Sequence, residues 1–129
     1  MTDHDAIQGL TEAVQLYFDL LYEVDLSRFD RVFCPTAQLH GLRDGKLIMW
    51  PAETYREVLA GRSSPRSVGA PREDQVLLID LASPTQALVK LRVRVNQTVF
   101  VDYLTYHRVD GDWRVTAKAY HVEAPAPPA

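Results

Sequence analysis

From Val76 to Val122 the chain is almost entirely strand, written in a period of two and cut by tight turns. Ala87, Val89, Leu91, Val93 and Val95 alternate with Leu88, Lys90, Arg92, Arg94 and Asn96. Successive strand side chains point to opposite faces, so this segment has one face to bury and one to wet. Val76–Leu81 is an apolar run ended by the turn Ser83-Pro84-Thr85-Gln86, while Val99–Val109 and Trp113–Val122 carry the pattern on. Asn96-Gln97 and Asp110-Gly111 supply two-residue turns that join antiparallel neighbours. A meander of this size needs a second layer to cover its apolar face.

That layer is upstream. Ile7, Leu10, Val14, Tyr17, Phe18, Leu21 and Val24 recur at three- and four-residue steps, with Asp5 and Gln8 as a capping pair. Asp25 or Ser27 caps a second, short helix carrying Leu26, Phe29, Val32 and Phe33, and Pro35 stops it. Ala37–Leu42 reads as a strand, Arg43-Asp44-Gly45 as a turn and Lys46–Trp50 as the return. Pro51 suits the start of a third helix with the stripe Tyr55, Val58 and Leu59, closed by Gly61. Gly61–Asp74, rich in Gly, Ser, Pro and Arg, reads as an exposed, mobile loop that could serve as a lid. The fold class is therefore α+β: a curved antiparallel sheet with three N-terminal helices on its concave face. Residues 1–123 read as one domain, and Ala124–Ala129 as an extended, Pro-rich tail.

Composition removes several function classes. With 17 acidic and 14 basic residues among 129, the net charge is -3, which carries no nucleic-acid footprint. At 47% hydrophobic residues the chain is not of disordered type. The one cysteine, Cys34, allows neither an intrachain disulfide nor a Cys-rich zinc site. No apolar run approaches the roughly 20 residues of a membrane span. The opening MTDHDAIQG is too acidic for a signal peptide, so the expected setting is cytoplasmic.

Two-residue turns fix an expected register. Val95 pairs with Thr98, Leu91 faces Asp102, Val109 pairs with Asp112, and Asp102 faces Ala119. The inner face then holds Phe100, Leu104, Tyr106, Val115, Ala117 and Ala119, with two polar misfits, Asp102 and His121. A buried carboxylate needs a partner, and this register offers His121 diagonally across the strands. Lys118, Tyr120 and Tyr103 fall on the outer face. A one-residue slip in the last hairpin would exchange the faces of the last strand.

The layout resembles the nuclear transport factor 2-like fold. Phe33-Cys-Pro-Thr-Ala-Gln-Leu-His-Gly41, Asp44-Gly-Lys-Leu47, Asp102-Tyr-Leu-Thr105, Val109-Asp-Gly-Asp-Trp-Arg-Val115 and Lys118-Ala-Tyr-His121 are similar to the lumazine-binding and polyketide-cyclase-type proteins within it. The resemblance implies a cystatin-like roll with a cone-shaped cavity and sheet-to-sheet pairing. The superfamily holds isomerases, dehydratases, cyclases and epoxide hydrolases beside binding and dimerisation modules, so fold alone gives no activity. Its isomerase-type members place a base near the end of the first strand, where this chain has His40-Gly41, and an acid on the strand that carries Asp102.

The candidate catalytic residues are Asp102, His121 and His40: Asp102 would orient an imidazole that moves a proton near neutral pH. Tyr17, Trp50, Tyr55, Phe100 and Tyr106 are candidate ligand-binding residues, able to line an apolar cavity while their polar edges donate. No Gly-rich phosphate loop, Ser-based nucleophile motif or CxxC is present, and two histidines and a carboxylate far apart in sequence, His40, His121 and Asp102, are weak grounds for a metal site, so neither cofactor nor metal is expected. The expected function is binding of a small apolar or carbonyl-containing molecule, with cofactor-independent proton transfer next to the carbonyl as the enzymatic version. The alternative is a non-catalytic binding or dimerisation module. The expected assembly is a homodimer through the outer sheet face, with no nucleic-acid or membrane partner.

Overall fold

The computed structural model describes residues 3–125. Helix α1 spans Asp3–Glu23. A 3-10 turn at Leu26–Arg28 is capped by the Asp25 carboxylate on the Ser27 N–H and runs into helix α2, Phe29–Val32. Strands β1 (Phe33–Arg43) and β2 (Lys46–Pro51) precede helix α3 (Ala52–Ala60), with Pro51 at its N-cap. Strands β3 (Asp74–Ser83), β4 (Gln86–Val95), β5 (Thr98–Val109) and β6 (Asp112–Pro125) complete the chain. β6 thus takes in the first two residues of the segment read as a tail, and the rest of that segment lies outside the described residues. Asp44-Gly45 and Asp110-Gly111 turn with positive φ at both positions, as primed hairpin turns require.

Among the described residues six strands form one curved, unclosed sheet in the order β2-β1-β6-β5-β4-β3. β1 and β6 run parallel and the other pairs antiparallel. The parallel pair lets the first hairpin extend the meander rather than form a sheet of its own. α1 crosses the concave face, burying Leu10, Val14, Tyr17 and Leu21 against Val89, Leu91, Leu104 and Val115. Burying one such side chain contributes roughly 1.5–3 kcal/mol, so this layer holds the helix to the sheet.

The expected register holds at both turns: Val95 meets Thr98, Leu91 meets Asp102 and Val109 meets Asp112. It fails midway along the last hairpin. Tyr106 pairs with Val115 but Thr105 pairs with Ala117, leaving Thr116 as a bulge. One extra residue reverses the faces of everything after it. Lys118 is buried and Tyr120 half-buried on the inner face, while Ala117, Ala119 and His121 are exposed on the outer one. Asp102 therefore faces Tyr120, not Ala119, and the expected Asp102–His121 pair is not formed.

The Gly61–Asp74 loop is not a free flap. Arg66 donates its N–H to the Tyr22 carbonyl, the Tyr22 hydroxyl donates to the Ala70 carbonyl at 2.9 Å, and Arg72 pairs with Asp19 at 2.6 Å. These bonds pin it to the C-terminal half of α1.

Candidate functional site

The Thr116 bulge builds the site. It delivers Lys118 and Tyr120 to the concave face beside Asp102, which alternation along β5 already directs inward between Phe100 and Leu104. α1 supplies Tyr17 and α3 supplies Tyr55. The Tyr17 hydroxyl donates to Asp102 Oδ2 at 2.6 Å, and Lys118 Nζ stands 3.8 Å from the same oxygen as an ion pair. Lys118 Nζ also donates to the Tyr55 oxygen at 3.2 Å and lies 4.7 Å from the Tyr55 ring centroid and 5.3 Å from that of Tyr17. Such cation–π contacts gain strength when desolvated. The result is one polar chain, Tyr17–Asp102–Lys118–Tyr55, crossing the core. Asp102 is 1% exposed and Lys118 7%. Burial first, then the charge of Asp102, pushes the Tyr17 phenol well above its ordinary pKa of 10.0, so it stays protonated and donates. Tyr106 is raised too, by burial and then by the same carboxylate.

Three polar atoms around this chain are buried with no hydrogen-bond partner among the described residues: Asp102 Oδ1, the Tyr106 hydroxyl and the Tyr120 hydroxyl. Native interiors contain few such atoms, and a cluster of them marks a functional candidate.

Above the chain lies an aromatic layer. Trp50 stacks on Tyr55 (6.1 Å, 21°) and on Tyr120 (6.2 Å, 23°), and Phe100 meets Tyr120 edge-on at 6.2 Å. Gly41 permits this. A Cβ there would sit 2.2 Å from Tyr120 Cζ, so the ring occupies the space a side chain on β1 would take. Trp50, Tyr55, Phe100 and Tyr120, with Arg43 and Arg62, enclose a pocket of about 60 Å³. Arg43, Arg62 and Phe100 also line a wider cleft of about 920 Å³, bounded by the Val68–Pro71 loop and the β4–β5 turn.

Of the residues read from sequence, Trp50, Tyr55 and Phe100 line the pocket. Tyr17 and Tyr106 lie beneath it, fully buried, with Tyr17 as a partner of Asp102. His40 pairs with Ala119 and His121 with Val101, both on the outer face and turned away from Asp102. The carboxylate's partners are a phenol and an amine in place of an imidazole. Lys118 and Tyr120, expected on the outer face, were not taken as site residues because no residue type announces the bulge, and Gly41, Arg43 and Arg62 were not singled out as site residues. Among the described residues no group of three or more His, Cys, Asp or Glu is placed to hold a metal ion.

This arrangement can be set beside known proteins. The family described as "Putative lumazine-binding" matches residues 5–121. The chain belongs to this family. No curated protein matches its sequence. Solved structures show how widely the family's fold is shared. An NTF2-like protein of unknown function from Shewanella baltica superposes with a TM-score of 0.84 at 21% identity, covering 96% of this chain and 98% of that one. An NTF-2 like protein of unknown function from Silicibacter pomeroyi gives 0.80 at 20% identity, covering 95% and 100%. A ketosteroid isomerase-like protein from Erwinia carotovora atroseptica gives 0.68 at 11% identity, covering 89% and 94%. At these identities the likeness is one of fold. No helix among the described residues is long and apolar enough to cross a membrane.

Proposed function

We propose that this lumazine-binding family member binds a small, flat, carbonyl-bearing molecule at the narrow end of the cleft. Its ring lies against Trp50, Phe100 and Tyr120, and its carbonyl accepts from the Tyr55 hydroxyl. The observation that carries this is the 3.2 Å hydrogen bond from Lys118 to the Tyr55 oxygen. A phenol that accepts from an amine keeps its own hydrogen to give away, and Tyr55 lines the pocket. Lumazine, the ligand in the family's description, is itself a flat ring system bearing carbonyls. The 60 Å³ of free space is below the few hundred Å³ of most ligand sites, so the bulk of the ligand extends from this pocket into the adjoining cleft of about 920 Å³.

If the protein is an enzyme, its chemistry is proton transfer next to the carbonyl, as in isomerases, dehydratases and cyclases, with a water molecule in the cleft taking the proton, since no carboxylate or imidazole lines the pocket among the described residues. Tyr55 stabilises the developing oxyanion. Asp102, which lines neither cavity, acts through Lys118 as a positioning residue. The test uses benzalacetone, a planar enone, as probe. Saturable binding by calorimetry, weakened roughly five- to twentyfold in Tyr55→Phe, is expected for a lost hydrogen bond. Absence of binding, or binding indifferent to Tyr55→Phe, contradicts the proposal. Deuterium uptake at the probe's methyl group above the buffer rate marks an enzyme, and none marks a binder.

The outer sheet face supports the homodimer reading. Leu42 and Leu47, paired across β1 and β2, are each 68% exposed there beside Met49 at 46%, with Tyr103 at 42% on β5 of the same face, and exposed apolar patches mark association sites. A monomer mass by sedimentation at tens of micromolar contradicts it. A cytoplasmic setting belongs to the same proposal, and the buried free Cys34 suits a reducing compartment.

A further inference from the structure

We propose that the ligand carries a carboxylate, held at the cleft rim by Arg43 and Arg62. This rests on the pocket reading above and adds its charge. Both arginines line the aromatic pocket and the wider cleft, so they stand where the two spaces join. Arg43 reaches there because β1 alternation directs Leu39, Gly41 and Arg43 to the concave face, and Arg62 because it comes just after Gly61, the C-cap of α3. Arg28, Arg66, Arg72, Arg92 and Arg114 each stand beside a carboxylate of this chain. Arg43 and Arg62 have no such partner among the described residues. Arg94, the third arginine of the cleft, is already engaged: it donates to the Asn96 carbonyl at 2.9 Å and lies 3.6 Å from Glu73.

Among the described residues none that lines either space is acidic, although the whole chain carries a net charge of -3. A concave site of one sign with low-dielectric walls concentrates ligands of the opposite sign. The guanidinium fork matches the planar, two-oxygen geometry of a carboxylate, which a ring seated on Trp50 and Tyr120 would present toward the rim. The ligand class is therefore a small unsaturated or aromatic carboxylic acid with a carbonyl oxygen at its buried end.

The test compares cinnamate with cinnamamide, which has the same shape without the charge, by calorimetry. Wild-type protein is expected to prefer cinnamate by roughly ten- to hundredfold, the range of a charge-assisted hydrogen bond. The preference should shrink as salt is raised. In Arg43→Gln/Arg62→Gln the preference for cinnamate over cinnamamide disappears. Equal affinity in wild type, or a preference that survives the double substitution, overturns the carboxylate and leaves the pocket standing. Binding of both probes that Trp50→Ala leaves untouched overturns the pocket reading instead. Binding of neither overturns both.

Discussion

Asp102→Asn is the substitution on which the polar chain is most exposed to refutation. It keeps the shape and an oxygen for the Tyr17 hydroxyl, but removes the charge that faces Lys118 at 3.8 Å. The two side chains are 2% and 6% exposed, so Lys118 is left as a buried cation whose remaining partner is the neutral Tyr55 oxygen. Breaking a buried pair by removing one member costs about 3–5 kcal/mol. On 129 residues that is a fall of roughly 10–20 °C in melting temperature. Lys118→Met removes the other member and should cost a similar amount. The double variant Asp102→Asn/Lys118→Met removes both charges, and should cost little more than either single change. Its coupling energy is then about 3 kcal/mol, at the upper end for contacting residues. Asp102→Leu/Lys118→Met goes further. A fully apolar replacement of a buried ion pair is often neutral or stabilising, so this variant should recover most of the lost stability while binding the ligand no more weakly than Tyr55→Phe does. The assay is urea unfolding followed by circular dichroism, with slopes checked for two-state behaviour. Asp102→Asn within about 1 kcal/mol of wild type, or a cycle additive to about 0.5 kcal/mol, would refute the reasoning.

Two further outcomes follow from the same geometry. Gly41→Ala drives a methyl group into the Tyr120 ring, and overpacking of this kind costs about 1–3 kcal/mol. Tyr120→Ala should be better tolerated in that background than alone, and a Gly41→Ala variant as stable as wild type would show that Tyr120 is not held against β1. Above pH 10.0, unfolded tyrosines release protons that Tyr17 and Tyr106 keep when folded, because both are raised. Their contribution is full below that pH and is lost as pH rises through the folded values, by about 1.4 kcal/mol per pH unit for each. Tyr17→Phe should make the alkaline limb of a stability–pH curve shallower, and an unchanged slope would contradict the Tyr17–Asp102 assignment.

The elements were legible because their signals are local. Asp44-Gly45 and Asp110-Gly111 carry their turn geometry in their own backbones, and the stripe from Leu10 to Leu21 shows its buried face at helical spacing. The family resemblance, carried by those elements and the stretches around them, is matched over residues 5–121. Asp102 could be placed because the chain from Asn96 to Asp102 contains no insertion that matters to it. The other half of the site could not. Lys118 and Tyr120 reach the core through a bulge at Thr116, whose hydroxyl lies 2.6 Å from His107 Nδ1. That contact spans two strands and leaves no mark in the residues Val115-Thr116-Ala117. By composition, alanines look better suited to a core than a lysine and a tyrosine, so alternation pointed to the wrong set. What reverses it is the tertiary environment: a carboxylate and two phenols ready to receive the amine, and a glycine on β1 that makes room for the ring.

The central claim is that Tyr55, backed by Lys118 and Asp102, presents a hydrogen-bond donor to a carbonyl in the aromatic pocket. Infrared difference spectroscopy of carbonyl-labelled benzalacetone reads that bond directly. Bound to wild-type protein, the probe's C=O stretch should shift to lower frequency than in an apolar solvent. Bound to Tyr55→Phe it should return toward the apolar value. The same red shift in both proteins, or none in wild type, would contradict the account.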